Sequence, residues 1–102
     1  MSRSPQTFLE QFADEAIRGG ADLLMIEYKD GWDEVVSVSG HFLYEIARLR
    51  SSTSGAAALR EELYSITDRG KRISVGRSKY ELRAQVLDSF GRDAFRVEFQ
   101  RL

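Results

Sequence analysis

Hydrophobic positions along the chain change period several times, and each change marks a new element. Phe8, Leu9, Phe12, Ala16 and Ile17 recur at the spacing of one helical face, while Glu10, Asp14, Glu15 and Arg18 fall elsewhere. Ser4 is placed to accept a backbone N–H as N-cap. Pro5 suits the first helical position, where its missing N–H loses nothing. Gly19-Gly20 ends this helix, because glycine enters the left-handed conformation at no steric cost. Two apolar runs then flank Asp30-Gly31, a pair suited to a tight hairpin turn, and predict strands at about 22–29 and 32–39. Leu24, Ile26 and Tyr28 share one face of the first strand. Leu23 and Met25 on the other predict cover on both sides.

Residues 41–50, HFLYEIARLR, fit two templates. Phe42, Leu43, Ile46 and Leu49 make a helical stripe, and Phe42, Tyr44 and Ile46 make a strand face equally well. Beyond the hydroxyl-rich SSTSG, helical spacing returns. Ala56, Leu59, Leu63 and Ile66 take core positions, Arg60, Glu61 and Glu62 take solvent positions, and Gly70 closes the helix. The last third alternates strictly. Tyr80, Leu82, Ala84 and Val86 interleave with Lys79, Glu81, Arg83 and Gln85, and Phe95, Val97 and Phe99 interleave with Arg96, Glu98 and Gln100. Such alternation marks strands with one dry and one wet face. DSFGRD turns between them with Gly91 at the permissive position, and KRISV pairs with KYELR across Gly76-Arg77. The pattern is α+β in one domain over 1–102: an antiparallel sheet of about five to six strands with helices packed on one face.

Composition narrows the class further. The 102 residues are 42% hydrophobic and 30% charged, which suits one soluble domain with a single core. No apolar run approaches the ~20 residues of a membrane-spanning helix. MSRSPQTFLEQF lacks the apolar core of a secretory signal. Membrane insertion is therefore not expected, and a cytoplasmic location is. The absence of Cys rules out disulfides, thiolate zinc sites and a thiol nucleophile. Charge is uneven: residues 1–47 carry three basic and nine acidic side chains, and residues 48–102 carry twelve and seven. The halves can attract each other within the fold or between copies.

Cations and glycines crowd together in DRGKRISVGRSKYELR (68–83), the stretch with the most to offer as candidate chemistry. A phosphate loop needs G-x-x-x-x-G-K-[ST] ahead of a helix. Here Arg72 follows Gly70-Lys71, Ser65 holds the earlier glycine position, and a helix precedes the segment. His41 is the only histidine, and the carboxylates Asp30, Asp33 and Glu34 are explained by a solvated turn, so no metal site is expected. No Gly-x-Ser-x-Gly elbow accompanies His41. The expectation is a protein that is not an enzyme and holds no cofactor. Nucleic-acid binding is the main rival. Arg69, Lys71, Arg72, Arg77, Lys79 and Arg83 oppose only Asp68 and Glu81 in 16 residues, and Lys79, Arg83 and Gln85 share the wet face. Against it, the isoelectric point is near 5.8, and no aromatic interleaves the exposed cations as a stacking platform.

One resemblance organises these pieces. FADEAIRGGADLLMIEYKDG resembles the helix, glycine-alanine junction and strand that open the domain preceding the motor in bacterial type II secretion and type IV pilus assembly ATPases. VSVSGHFLYEI sits where that family has a strand, a glycine and a further strand. DRGKRISVGRSKYELRAQVLDSFGRDAFRVEF resembles its later run of strands, and the likeness spans roughly residues 9–100. Gly20-Ala21-Asp22 lacks the family's serine, and DEVVSVS lacks the arginines of its second strand; by position only Arg83 matches a family arginine. The resemblance implies a PAS-like α+β domain present without its motor, with residues 41–49 as a strand.

The function expected on this basis is a non-enzymatic interaction or regulatory domain. Its partner would be another protein, a secretion or pilus component or a second copy, met by Arg72, Arg77, Lys79 and Arg83. The alternatives are a nucleic-acid-binding module on the 69–83 face and a PAS-like small-ligand sensor, which needs a cavity.

Overall fold

The computed structural model describes residues 6–102, so the expected cap at Ser4 and the role of Pro5 lie outside the described residues. Helix α1 (Phe8–Arg18) starts from Thr7, whose hydroxyl accepts the Glu10 N–H at 3.2 Å. Three strands follow, β1 (Leu23–Lys29), β2 (Trp32–Ser39) and β3 (Phe42–Arg50). Helix α2 (Ser54–Arg69) leads to a second set, β4 (Lys71–Val75), β5 (Ser78–Ser89) and β6 (Arg92–Arg101). The six form one antiparallel curled sheet in the order β3-β2-β1-β6-β5-β4. The first and last strands pair at its centre, which joins two three-strand meanders into one α+β domain.

Both helices lie on one face. Leu24, Ile26, Val35, Leu82, Ala84, Phe95 and Val97 of the sheet pack against Leu9, Phe12, Ala13 and Ala16 of α1 and Leu59, Leu63 and Ile66 of α2. Phe8 stacks on Phe12 with ring centroids 5.8 Å apart. The Phe8 ring also crosses Gly55, where an added Cβ would meet it at 2.9 Å, so the two helices approach through that glycine.

Three expectations change here. Leu23 and Met25 are only half-buried, because among the described residues no second layer covers the opposite face of β1. Val86 is on the core parity yet 40% exposed, since β4 begins only opposite Leu82 and the rest of β5 runs on without it. In β3, Glu45 pairs with Val36 and Ala47 with Val35, so Ile46 is the extra residue of a β-bulge. Phe42 and Tyr44 before the bulge therefore share a face with Ala47 and Leu49 after it. Neither a 2-residue nor a 3.6-residue period describes this strand, which is why the sequence fitted two templates.

Candidate functional site

Edge strand β3 carries the most exposed apolar group of the sheet. Phe42, Leu43 and Tyr44 are 65%, 68% and 60% exposed. Every second backbone N–H and C=O of an edge strand lacks a partner within the sheet, so such a strand is a template for another. The apolar surface does not stop at the edge. On the face without helices, Leu43 lies opposite Val38 and Val38 opposite Leu23, while the neighbouring row pairs Val36 with Met25. On the helix face, Phe42, Tyr44 and Ile46 wall a groove of about 430 Å³ against the end of α1. Trp32 closes the patch, with the guanidinium groups of Arg50 and Arg48 at 4.6 and 5.7 Å from its ring centroid.

The expected cationic residues are brought only partly together. Arg72 lies opposite Glu81, and Lys79 and Arg83 are its diagonal neighbours, so three of the four surround one carboxylate on the open face. Arg83 is 67% exposed and donates to Glu81 at 3.0 Å, with Glu98 opposite it on β6. Arg77 stands apart in the β4–β5 turn. The surface is a lattice of alternating charge, and two carboxylates interrupt any track for a phosphate backbone. Beside it, a groove of about 370 Å³ takes in Arg69, Arg83, Gln85, Arg96 and Glu98.

Gly70-Lys71 has a structural role. The Lys71 ammonium reaches Glu10 on α1 at 2.7 Å and Glu62 on α2 at 2.5 Å, so it ties both helices to the start of β4. Burial pulls its pKa down, and hydrogen bonds to the two carboxylates outweigh that, leaving it above the ordinary lysine value. Gly70 ends α2 at φ 70°, and a Cβ there would stand 3.2 Å from the Leu82 carbonyl oxygen. This is a helix stop and an anchor, with no geometry for a phosphate.

A second polar cluster went unrecognised in the sequence. Asp33, read as part of a solvated turn, is 2% exposed inside β2 on the helix face. Its carboxylate accepts from Arg60 at 2.5 Å and from the Ser51 hydroxyl at 2.8 Å, while Arg60 also donates to the Ser51 carbonyl at 3.1 Å. Arg60 and Glu62, assigned to solvent, are both held in ion pairs across elements. The available signal was the parity of β2: Asp33, Val35 and Ser37 alternate inward, which leaves Trp32, Val36 and Val38 on the open face. The Tyr64 hydroxyl donates to Asp93 nearby, and that hydrogen bond raises the tyrosine pKa, helped by partial burial.

Other chemistry gains no support from the arrangement. Among the described residues no group of three His, Cys, Asp or Glu side chains is placed to hold a metal ion. His41 is exposed in the β2–β3 turn. No described helix is long and apolar enough to cross a membrane. No protein-family model matches the chain, and no curated protein does.

Proposed function

We propose that this chain is a non-enzymatic protein-interaction domain that works by extending its sheet through β3. The observation that carries this reading is the exposed Phe42-Leu43-Tyr44 edge, continuous with Val38, Leu23, Val36 and Met25 on the open face. Scattered apolar side chains need no explanation, but a contiguous patch on an edge strand joins hydrophobic burial to backbone hydrogen bonds at one site. The element order and the 9–100 resemblance support kinship with the PAS-like pre-motor domain of secretion and pilus assembly ATPases, here a stretch of chain without a phosphate loop. A cytoplasmic partner from such an assembly fits that kinship. The cationic group around Glu81 is secondary on this view, since Glu81 and Glu98 interrupt it and Arg83 is already held in an ion pair.

The test is a binding titration of the labelled chain against three purified ligands: the host's pilus and secretion ATPases, and the chain itself. Each is repeated with Leu43→Arg. Binding to any of the three that Leu43→Arg abolishes supports the reading. Binding indifferent to Leu43→Arg, or flat titrations throughout, sinks it. Anisotropy titrations with single- and double-stranded DNA and RNA at low salt test the nucleic-acid alternative, which requires binding that weakens steeply as salt rises.

A further inference from the structure

We propose that β3 pairs with β3 of a second copy of this chain. The strands run antiparallel about a two-fold axis between Ile46 and Ala47, so that Glu45 of one copy faces Arg48 of the other. This rests on the interaction reading above and names its partner.

The bulge supplies the first reason. In an antiparallel pair, residues directly opposite each other share a face of the sheet. A strictly alternating strand meets its two-fold mate face-to-face only where an axis passes through a residue. The extra residue at Ile46 changes that rule for positions on either side of it. Tyr44 and Leu49 both point to the helix side, opposite Ser37 and Asp33 of β2. Glu45 and Arg48 both point to the open side, opposite Val36 and Glu34, as do Leu43 and Arg50, opposite Val38 and Trp32. An axis between Ile46 and Ala47 therefore sets Tyr44 against Leu49, Glu45 against Arg48 and Leu43 against Arg50, each pair on one face.

The side chains supply the second. A two-fold contact is made twice, so the axis yields two Glu-Arg pairs and two Tyr-Leu pairs. Leu43 of each copy lands on the stem of Arg50, which already lies over Trp32 at 4.6 Å from its centroid. Arg48 is in place on the open side, with Nε 2.5 Å from Glu45 and Nη2 3.7 Å from Glu34 of its own chain. The backbone agrees in phase. The Ser51 N–H donates inward to the Gly31 carbonyl at 2.9 Å, so Arg48 and Arg50, two positions apart and out of phase with it, turn their N–H and C=O outward. The edge thus contains its own complement in charge, apolar surface and backbone. The product is a continuous sheet across two copies, which covers Phe42, Leu43 and Tyr44.

Sedimentation equilibrium of the purified chain across the micromolar range reads the association directly. The wild type is expected to dimerise. Leu43→Arg sets arginines against Arg50, and Glu45→Arg and Arg48→Glu each set like charges opposite one another twice. All three should weaken association at least about tenfold. The decisive sample is an equimolar mixture of Glu45→Arg with Arg48→Glu. In the proposed register every charge in that heterodimer meets its opposite, so two monomeric variants should recover a dimer when mixed. Thermal melts of each variant separate lost pairing from lost fold, and the mixture contains the same folded chains as its components. A wild type that stays monomeric overturns the proposal, as does a dimer that Leu43→Arg leaves intact or a mixture that stays monomeric. Should self-titration be flat while a host ATPase binds through Leu43, self-pairing falls and the interaction reading stands.

Discussion

One row of side chains across the open face of the sheet runs Leu43, Val38, Leu23, Glu98, Arg83, and it changes character halfway. At the β3 end it is apolar and ends on a strand that has no outer neighbour among the described residues. At the β5 end it is charged, and the edge beyond is a five-residue strand bearing Arg72 against Glu81. Short length and charge are the usual means by which a sheet keeps other strands away. The β4 edge has both, whereas β3 is nine residues long and opens with three exposed apolar side chains. The two edges are nonetheless anchored alike. Asp33, Ser51 and Arg60 tie the end of β3 to α2, and Lys71, Glu10 and Glu62 tie the start of β4 to both helices. What separates them is the surface offered to a partner.

The largest expected effect lies under the charged edge. Leu82 is fully buried between the sheet and the helices. Replacing it with Ala should cost about 2–5 kcal/mol through lost burial and the cavity left behind. Leu43→Ala, at an exposed site, should change monomer stability by no more than about 0.5 kcal/mol. Urea denaturation of both variants checks the pair. If Leu43→Ala matched Leu82→Ala, β3 would be part of the core, and its role as a free edge would be lost.

The anchor of β3 comes next. Arg60→Met leaves the buried Asp33 carboxylate with the Ser51 hydroxyl alone. Removing one partner of a fully buried pair costs roughly 3–5 kcal/mol. Arg60 is a third exposed, so screening by water brings the expectation to about 2 kcal/mol. The same variant should speed hydrogen exchange at the end of β3 before it does so in β5. Uniform acceleration would show that the cluster holds the whole sheet and has no special hold on this edge.

These two regions also differ in how much of them the sequence shows. Apolar and polar residues alternate from Lys79 to Val86 in β5 and from Phe95 to Gln100 in β6, so the parity of these stretches, and the exposure of Arg83 with it, is legible from residue types alone. So are the core positions of α2, where Ala56, Leu59, Leu63 and Ile66 are all buried. In β3 a single bulged residue breaks the alternation, and no residue type at Ile46 announces it. Asp33 was hidden for a different reason. A carboxylate carries no mark of burial, and its partners Ser51 and Arg60 become neighbours only when α2 folds over β2. The cationic residues were conspicuous in the sequence because they cluster in the chain, but the fold interleaves them with Glu81 and Glu98. The apolar edge was inconspicuous because Phe42, Leu43 and Tyr44 look like core until the sheet order leaves them outermost.

The anchor of β4 offers a sharper control, since it titrates. Lys71→Met should cost about 1 kcal/mol at neutral pH, the scale of a partly screened ion pair. The folded-state pKa of Lys71 is raised, so its contribution is complete below the unfolded value of about 10.4 and disappears as pH rises through the folded value. The stability gap between wild type and Lys71→Met should therefore stay level from neutral pH to about 10 and close above it. Tyr64, also raised, titrates in both proteins and cancels in the difference. A gap that persists undiminished at strongly alkaline pH would mean that Lys71 acts through the packing of its stem and the ion pairs contribute nothing.

The smallest expected effect tests the charged end of the row. Arg83 is 67% exposed, with Glu81 beside it and Glu98 opposite. Substitution by Ala removes one exposed ion pair and no buried surface, so stability should move by no more than about 0.5 kcal/mol. The more telling readout is association. If β3 is the edge that partners use, Arg83→Ala should leave self-association and binding to any assembly ATPase at wild-type strength, while Leu43→Arg abolishes them. Arg83, on β5, is separated from β3 by three strands, β2, β1 and β6, so no local rearrangement at one end reaches the other. A complex weakened by Arg83→Ala and indifferent to Leu43→Arg would reverse the comparison: the charged face of β4 and β5 would be the binding surface, and the apolar edge a passive one.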